Sequence, residues 1–292
     1  MMTAFSIGPA YAAVFLIWSS MPLVMKKTVE YYSAFGAMYI RLAIALALVS
    51  LIRKIIRSPN LALKKNYRAY FWAGIGIVPS GPIAYWSSQY LHSGVYAIIY
   101  GLMPFYVLAL TALSGTPEKT EWAQLLPLTV SFLGLVLLSN SQLESGGLNG
   151  IGLVTCVASA LIFALSIVRT RECATLEIPL LNLINGSVLF GLICLTPFVT
   201  ADFLEIVGQS TPRAIIGVMY LGAVGSVVSY IAYYYLLARV SAISMSAIFL
   251  ATPIAAVVIG SIYNSEQYSW IDWFAICVIT AGLALYSKCD SA

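Results

Sequence analysis

The chain is a series of long apolar runs that are separated by short polar turns. Each run has about 18 to 24 residues, enough to cross the roughly 30 Å hydrocarbon core of a bilayer as an α-helix. Lipid offers the backbone no hydrogen-bond partners, so runs of this kind span a membrane as helices. The pattern predicts ten spans, at residues 8–25, 33–52, 70–91, 95–114, 122–139, 148–168, 178–199, 214–237, 242–263 and 270–287.

A weak internal repeat relates the two halves of the chain. Residues of the same type recur at an offset of 148 or 149 positions: Pro104/Pro253, Glu118/Glu266, Trp122/Trp270, Gly134/Gly282, Gly76/Gly225 and Tyr85/Tyr234. A fixed offset that keeps the order of the residues indicates a duplication. We therefore predict a first repeat at residues 1–144 and a second at residues 145–292.

Five spans per repeat is an odd number, so the second repeat must enter the membrane in the opposite sense to the first. The axis that relates the repeats then lies in the membrane plane, as in many secondary transporters, whose substrate site lies between the repeats. We expect an all-α integral membrane protein of ten transmembrane helices in two inverted five-helix repeats. A membrane enzyme or a scaffold has no need of this symmetry, and each is among the least favoured alternatives.

The composition supports the membrane assignment, because 61% of the residues are apolar and only 9% are charged, whereas a soluble domain has about 25% charged residues. The first apolar run follows no basic segment and precedes no small-residue cleavage site, which favours a retained helix over a signal peptide. The five cysteines are scattered without a CxxC motif. We interpret them as small apolar fillers rather than disulfides or metal ligands, and expect no cofactor.

The Lys and Arg residues predict the orientation. With both termini in the cytoplasm, eleven of them lie inside and only Lys26, Lys27 and Arg213 lie outside, as the positive-inside rule requires. We therefore attribute the net charge of +4 to the orientation of the chain in a bacterial inner membrane, and we expect no nucleic-acid partner. The expected partners are the lipid bilayer and a small-molecule substrate, and the protein is expected to be a monomer or a weak dimer.

Prolines mark the positions where helices could bend. Pro79 and Pro82 flank Ser80 and Gly81 near the middle of the third span, and each removes a backbone donor. The result is either a bent helix that presents carbonyls to a substrate or a kink that serves packing. Pro104 and Pro253 occupy paired helices, and we interpret them as bends in the segments that open and close each face.

Arg41 is the one charge that lies well inside a predicted span. Burying it costs roughly 2.5–3.5 kcal/mol on insertion scales, which makes it a functional candidate. It could bind a substrate carboxylate, or it could snorkel or bind helix-end carbonyls. Proton relays use buried carboxylates or histidines. We expect no Asp or Glu within the spans, and His92 falls at a helix end, so facilitated diffusion or exchange is the simpler mechanism.

Residues 220–288, with Gly222, Gly225, Pro253, Glu266 and Gly282, resemble the last three helices of the EamA family of the drug/metabolite transporter superfamily. Trp18-Ser19-Ser20, Lys26 and Arg41 resemble features of its first two helices. The likeness is strongest to the amino-acid and metabolite exporter branch (YddG-like). It implies transport, most readily export of amino acids. Uptake or exchange of a nucleoside-like metabolite such as S-adenosylmethionine, or drug efflux, is the alternative.

The resemblance also implies a substrate cavity that is lined by the third, fourth, sixth and eighth helices. By position it nominates Tyr85, Trp86, Gln89, Tyr100, Phe163 and Tyr234. Aromatic rings combine an apolar face with a polar tip and could hold the side chain and the ends of a small zwitterion. The alternative for each of these residues is ordinary helix packing or a place in an interfacial aromatic belt.

Overall fold

The computed structural model describes residues 6–28, 31–88, 90–91, 93–114, 125–143, 150–174, 178–199, 211–252, 254–255 and 269–290. Within these ranges the chain is helical and forms no strand. The α-helices are α1 Ile7–Thr28, α2 Ala34–Ile55, α3 Leu63–Ile77, α4 Ser80–Ser88, α5 Ser93–Gly101, α6 Met103–Ser114, α7 Leu125–Leu143, α8 Gly150–Ala174, α9 Leu180–Leu195, α10 Pro212–Gly222, α11 Ser229–Leu237, α12 Ala242–Ser246 and α13 Trp270–Asp290. A 3-10 turn, Thr196–Phe198, continues α9, and a π-helix, Ala223–Val228, joins α10 to α11.

Four helical segments are long and apolar enough to cross a membrane, namely Phe35–Ile55, Gly150–Cys173, Leu180–Phe198 and Pro212–Leu237. Shorter apolar segments are Ile7–Met21, Met103–Ser114, Leu125–Leu138, Ala242–Thr252 and Trp270–Tyr286. Each of these segments overlaps one of the predicted spans. The third predicted span has no counterpart among them, and the number of ten spans stays a prediction.

The third span differs from the prediction because it consists of two helices. Helix α3 begins at Leu63 rather than near residue 70 and ends at Ile77, and α4 begins at Ser80. The residue before a proline is driven out of the helical region, and Val78 has an extended backbone with φ −140° and ψ 123°. The Val78–Pro79 peptide bond is cis. The fourth span is also divided, between α5 and α6 at Leu102.

The described helices form two packing units, each of which takes helices from both halves of the chain. The first unit contains Met1–Pro82 and Leu165–Arg239. In it α2 and α3 pack against α9, α2 also packs against α10, and α1 packs against α10 and α11. Gly74 faces Phe190 on α9, and Gly222, 148 positions later, faces Ile44 on α2. Both glycines allow close helix approach, as small residues do in membrane interfaces.

The second unit contains Ile83–Ala164 and Val240–Ala292, and its most extensive helix contact joins α7 to α13. The Ser131 hydroxyl shares its hydrogen between the Pro127 carbonyl of its own helix, at 3.1 Å, and the Ile279 carbonyl, at 3.2 Å and 148 positions away, the repeat offset. A Cβ added to Gly134 would lie 3.0 Å from the Ala275 carbonyl, and one added to Gly282 would lie 2.7 Å from the Pro127 carbonyl. As the residue number rises along α7, the number of its contact on α13 falls, so the two helices are antiparallel.

Candidate functional site

Four rings from three segments of the second unit form an aromatic cluster, which we define as Tyr96, Tyr100, Phe163 and Phe249. Tyr96 and Tyr100 are four residues apart on α5, so they share one face of the helix, and their rings stack with centroids 4.7 Å apart. Phe249, which follows α12, lies 5.8 Å from the Tyr100 ring and 5.6 Å from the Phe163 ring of α8. Distances of this size are typical of attractive ring pairs.

Polar atoms accompany the aromatic cluster on α5 and α8. The Tyr100 hydroxyl and the hydroxyl of the fully buried Ser159 are 2.8 Å apart. Ser159 precedes Phe163 by one helical turn, so both side chains lie on the same face of α8. The Tyr96 hydroxyl interacts with Tyr100, with Tyr85 and with the Cys156 thiol. The cluster therefore combines apolar ring faces with hydroxyl and thiol groups, which can bind a polar ligand through hydrogen bonds.

The structure brings some of the predicted site residues together and separates others. Tyr100 and Phe163 meet through Phe249, and Tyr85 on α4 interacts electrostatically with Tyr96. Trp86, also on α4, packs instead against Tyr90 with ring centroids 4.7 Å apart. Gln89 lies outside the described residues. That these predicted site residues bind substrate stays a prediction.

Tyr234 belongs to the first unit, where it is buried on α11. Its hydroxyl donates to the Ala73 carbonyl of α3 at 3.4 Å, and its ring lies 4.8 Å from that of Tyr233. Tyr233 in turn packs against Trp18 of α1, with centroids 5.6 Å apart. Because the neighbouring Tyr and Trp side chains come from α1 and α11, Tyr234 is part of an aromatic group within the first unit.

Arg41 is buried in the first unit, with 5% of its surface exposed, and it contacts the π-helix. Its Nε donates to the Ser226 hydroxyl at 2.7 Å, and its Nη2 donates to the Gly225 carbonyl at 3.0 Å. A π-helix widens the turn and changes the regular pairing of backbone groups, and this leaves a carbonyl that a cation can bind. Arg41 forms no ion pair within the part of the chain that the structure describes.

The predicted bending prolines lie at helix starts wherever the structure describes them. Pro79 is exposed at the junction of α3 and α4, and Pro82 is buried in the first turn of α4. Pro104 is buried in the first turn of α6, where a helix does not use the missing backbone donor. Pro253 lies outside the described residues, as do Glu118, Glu266 and His92.

The sequence profile of the EamA-like transporter family matches residues 8–140 and, a second time, residues 150–288. The chain belongs to the EamA-like transporter family. The resemblance that the sequence motifs indicated is therefore confirmed at the level of the family, and the exporter branch stays a prediction. Membership makes this protein a multi-pass membrane transporter.

Relatives of this EamA protein share its length as well as its sequence. An uncharacterized transporter of Archaeoglobus fulgidus is 24% identical over 253 residues, covering 85% of this chain and 87% of that one. The uncharacterized inner membrane transporter YedA of Escherichia coli K12 is 23% identical over 279 residues, covering 94% and 89%. A protein of known crystal structure shares the fold, with a TM-score of 0.79 over 98% of this chain and 97% of that one, at 14% identity.

The sequence interpretation of this EamA protein overlooked several residues that shape its polar interior. The expectation of no carboxylate within the spans was wrong for Asp272, which lies in the last predicted span and is 6% exposed. Its carboxylate accepts hydrogen bonds from the backbone and the hydroxyl of Ser269, both at 2.8 Å. The Ser269-x-x-Asp272 spacing is a capping-box signal that could have revealed it. Ser159, Ser226 and Phe249 gave no such signal.

Proposed function

We propose that this EamA protein is a secondary transporter that carries small metabolites, most readily amino acids, across the cytoplasmic membrane by alternating access, with export favoured. The observation that supports the substrate class is the aromatic cluster with its Tyr100–Ser159 hydroxyl pair. Ring faces can take up the side chain of an amino acid, while hydroxyl groups orient its polar ends. Tyr85 interacts electrostatically with Tyr96, and we propose that it contributes to the same binding surface.

The architecture that we propose is ten transmembrane helices in two inverted repeats, at residues 1–144 and 145–292. The two matches to the family profile fall on either side of this boundary. The antiparallel contacts of α7 with α13 support an in-plane axis, because exchanging each residue for its repeat counterpart maps the Gly134–Ala275 contact onto Gly282–Pro127. In the first unit, the Gly74–Phe190 contact maps, at offsets of 148 and 149 positions, onto the contact of Gly222 with the Arg41 carbonyl.

The proposed orientation has both termini in the cytoplasm of a bacterial cell, because eleven Lys and Arg residues against three then lie inside. The name of the Escherichia coli relative, an inner membrane transporter, supports the same membrane for this chain. We propose a monomer or a weak dimer as the working unit.

Facilitated diffusion or exchange is the transport mode that we propose. The one buried carboxylate that the described spans contain, Asp272, accepts two hydrogen bonds from Ser269 at the start of α13. Both hydrogen bonds are made within the first turn of α13, so the carboxylate serves as a helix cap. Flux through purified protein that rose with an imposed pH gradient at fixed voltage would refute this mode.

A second candidate substrate is a nucleoside-like metabolite such as S-adenosylmethionine. Tyr96 and Tyr100 already stack at an interplanar angle of 22°, and a parallel pair of rings offers the kind of face on which a purine also stacks. The same surface could take flat apolar drugs. The transport experiment below separates these candidates from amino acids.

The test is counterflow from proteoliposomes that are preloaded with mixed amino acids, with mass spectrometry of the compounds that leave. We expect selective loss of one amino-acid group, strongly reduced in Tyr100→Ala and Phe163→Ala. Phe105→Ala is the matched control, because the Phe105 ring pairs with the ring of Phe132, with centroids 5.9 Å apart, and neither ring belongs to the aromatic cluster as defined. Retention of every amino acid by folded protein would favour the nucleoside-like candidate, and equal loss in all three variants would indicate a packing defect.

A further inference from the structure

The connection from the end of α2 into α3, residues 53–68, carries an unusual density of positive charge. Six cations lie in it: Arg53, Lys54, Arg57, Lys64, Lys65 and Arg68. No Asp or Glu occurs in the sequence between Glu30 and Glu118. All six side chains except that of Arg53 are exposed, and within the described part of the chain none of them forms an ion pair. We call residues 53–68 the basic connection.

A buried side chain from another helix fixes the path of the basic connection. Asn182 on α9 is 1% exposed, and its Oδ1 accepts from Arg53 Nε at 2.8 Å and from the Ser58 hydroxyl at 3.0 Å. Its Nδ2 donates to the carbonyls of Pro59 and Asn60, each at 3.1 Å. One amide therefore makes four hydrogen bonds to the connection, and they turn successive carbonyls inward.

Further hydrogen bonds fix the basic connection on either side of Asn60. Arg53 Nη2 donates to the Pro59 carbonyl at 2.9 Å, and the Tyr70 hydroxyl donates to the Leu61 carbonyl. Arg57 and Ala62 have positive φ angles of 52° and 48°. Residues other than glycine keep such angles only where their surroundings impose them. The connection is therefore built to a defined shape, with its carbonyls inside and its remaining cations outside.

Apolar side chains are exposed among these cations. Ile55 is 70% exposed, Ile56 56%, Leu63 49% and Tyr67 63%. Ile55 ends Phe35–Ile55, a segment able to cross the membrane, and the other three follow within the next 12 residues. A surface that alternates cations with apolar groups at the end of a membrane helix matches the region where lipid phosphates meet acyl chains. A soluble anion would use the cations and leave these apolar groups in water.

We propose that the basic connection is a binding site for anionic phospholipid, with Lys64, Lys65 and Arg57 contacting the phosphate and the exposed apolar side chains contacting the acyl chains. A charge bias that served orientation alone would need no fixed shape. The four hydrogen bonds of Asn182 give this loop such a shape, and a shaped cation cluster can select a lipid headgroup. The site is independent of the transported substrate, so its test needs no transport assay.

The experiment measures lipid binding to the purified full-length protein by native mass spectrometry, with phosphatidylglycerol and phosphatidylcholine as probes. We expect selective retention of phosphatidylglycerol. A Lys or Arg near an anionic surface contributes about fivefold in affinity, so Lys64→Gln with Lys65→Gln should weaken binding by about 25-fold. The control pair Arg213→Gln with Arg239→Gln removes the same charge at exposed sites elsewhere and should change binding less than about twofold.

Asn182→Leu tests the shape separately, because it leaves every cation in place. It should weaken phosphatidylglycerol binding about fivefold, as the loss of one positioned cation would. Equal retention of the two lipids, or an equal effect of the control pair, would overturn the proposal. Displacement of the lipid by millimolar inorganic phosphate would also overturn it, because the site would then be one for soluble anions.

Discussion

Replacing Gly282 by alanine should measure how closely α7 and α13 pack. An added Cβ would lie 2.7 Å from both the Pro127 carbonyl oxygen and the Ser131 backbone nitrogen, and it would overlap the Ser131 hydroxyl. Backbone atoms in a helix cannot rotate away as a flexible side chain can, so the helices must separate. Their separation would also lengthen the 3.2 Å hydrogen bond from Ser131 to Ile279.

Two opposing effects set the magnitude of the change. Alanine is a better helix former than glycine by roughly 0.5–1 kcal/mol, whereas overpacking a close contact costs about 1–3 kcal/mol. Gly150→Ala is the matched control, because nothing lies within 4 Å of the Cβ that it would add. The free energy of unfolding of Gly282→Ala should therefore fall about 1–3 kcal/mol below that of Gly150→Ala.

Gly134→Ala should act in the same direction. Its added Cβ would lie 2.9 Å from the Ile279 backbone nitrogen and 3.0 Å from the Ala275 carbonyl. Because both substitutions separate the same two helices, the double variant should lose less stability than the single variants together. The assay is denaturant unfolding of purified protein in micelles, with helix content as the signal.

Two results would refute the reasoning on α7 and α13. If Gly282→Ala unfolds at the same denaturant concentration as Gly150→Ala, the contact is looser than its geometry indicates. If Gly282→Ala is destabilised and Gly134→Ala is not, the packing lacks the two-fold relation that supports the inverted repeat.

Two further substitutions test the buried polar contacts. Arg41→Met should lower the free energy of unfolding by about 1.5–3 kcal/mol, because it removes hydrogen bonds from a charged group. Ser226 and Gly225 keep other partners at 3.1 Å and 2.6 Å, so neither is left unpaired. Denaturant unfolding measures the change, and unchanged stability would mean that burying the charge costs as much as its contacts contribute. Ser269→Ala should remove about 1 kcal/mol of capping from α13 and speed amide exchange in its first turn; unaltered exchange would show that the cap is dispensable.

Hydropathy was sufficient to predict most of the helices, because a backbone in lipid has few alternatives to the helix. Hydropathy did not predict the start of a helix whose first turns are polar and lie beyond the apolar run. The segment from Leu63 contains Lys64, Lys65 and Arg68, so it looked like a loop, although Lys and Arg are good helix formers. The interruption at Leu102 lies beside the bend predicted at Pro104, although hydropathy alone indicated one continuous span there.

Contacts between residues that are distant in sequence could not be predicted in the same way. The π-helix is bound by Arg41 from 185 positions away, and nothing in the local sequence of Ala223–Val228 indicates a widened turn. Tyr100 and Phe163 were nominated from a family resemblance, but Phe249, whose ring joins theirs, looked like any apolar residue of a span. Asn182 and Asn185 carried a local signal, because each is a polar amide within an apolar run.

The contact between Ser131 and Ile279 has a consequence for the ancestry of the chain. On the proposed repeat these two residues hold the same position, so in a half-length ancestor that paired with its own copy the residue would have touched itself. Such a self-complementary interface obliges one side chain to suit both partners. A single chain that carries both copies has no such obligation, and here one position is a serine that donates to the backbone carbonyl of the isoleucine at the other. On that repeat, each half could vary separately while the α7–α13 helix pair was kept.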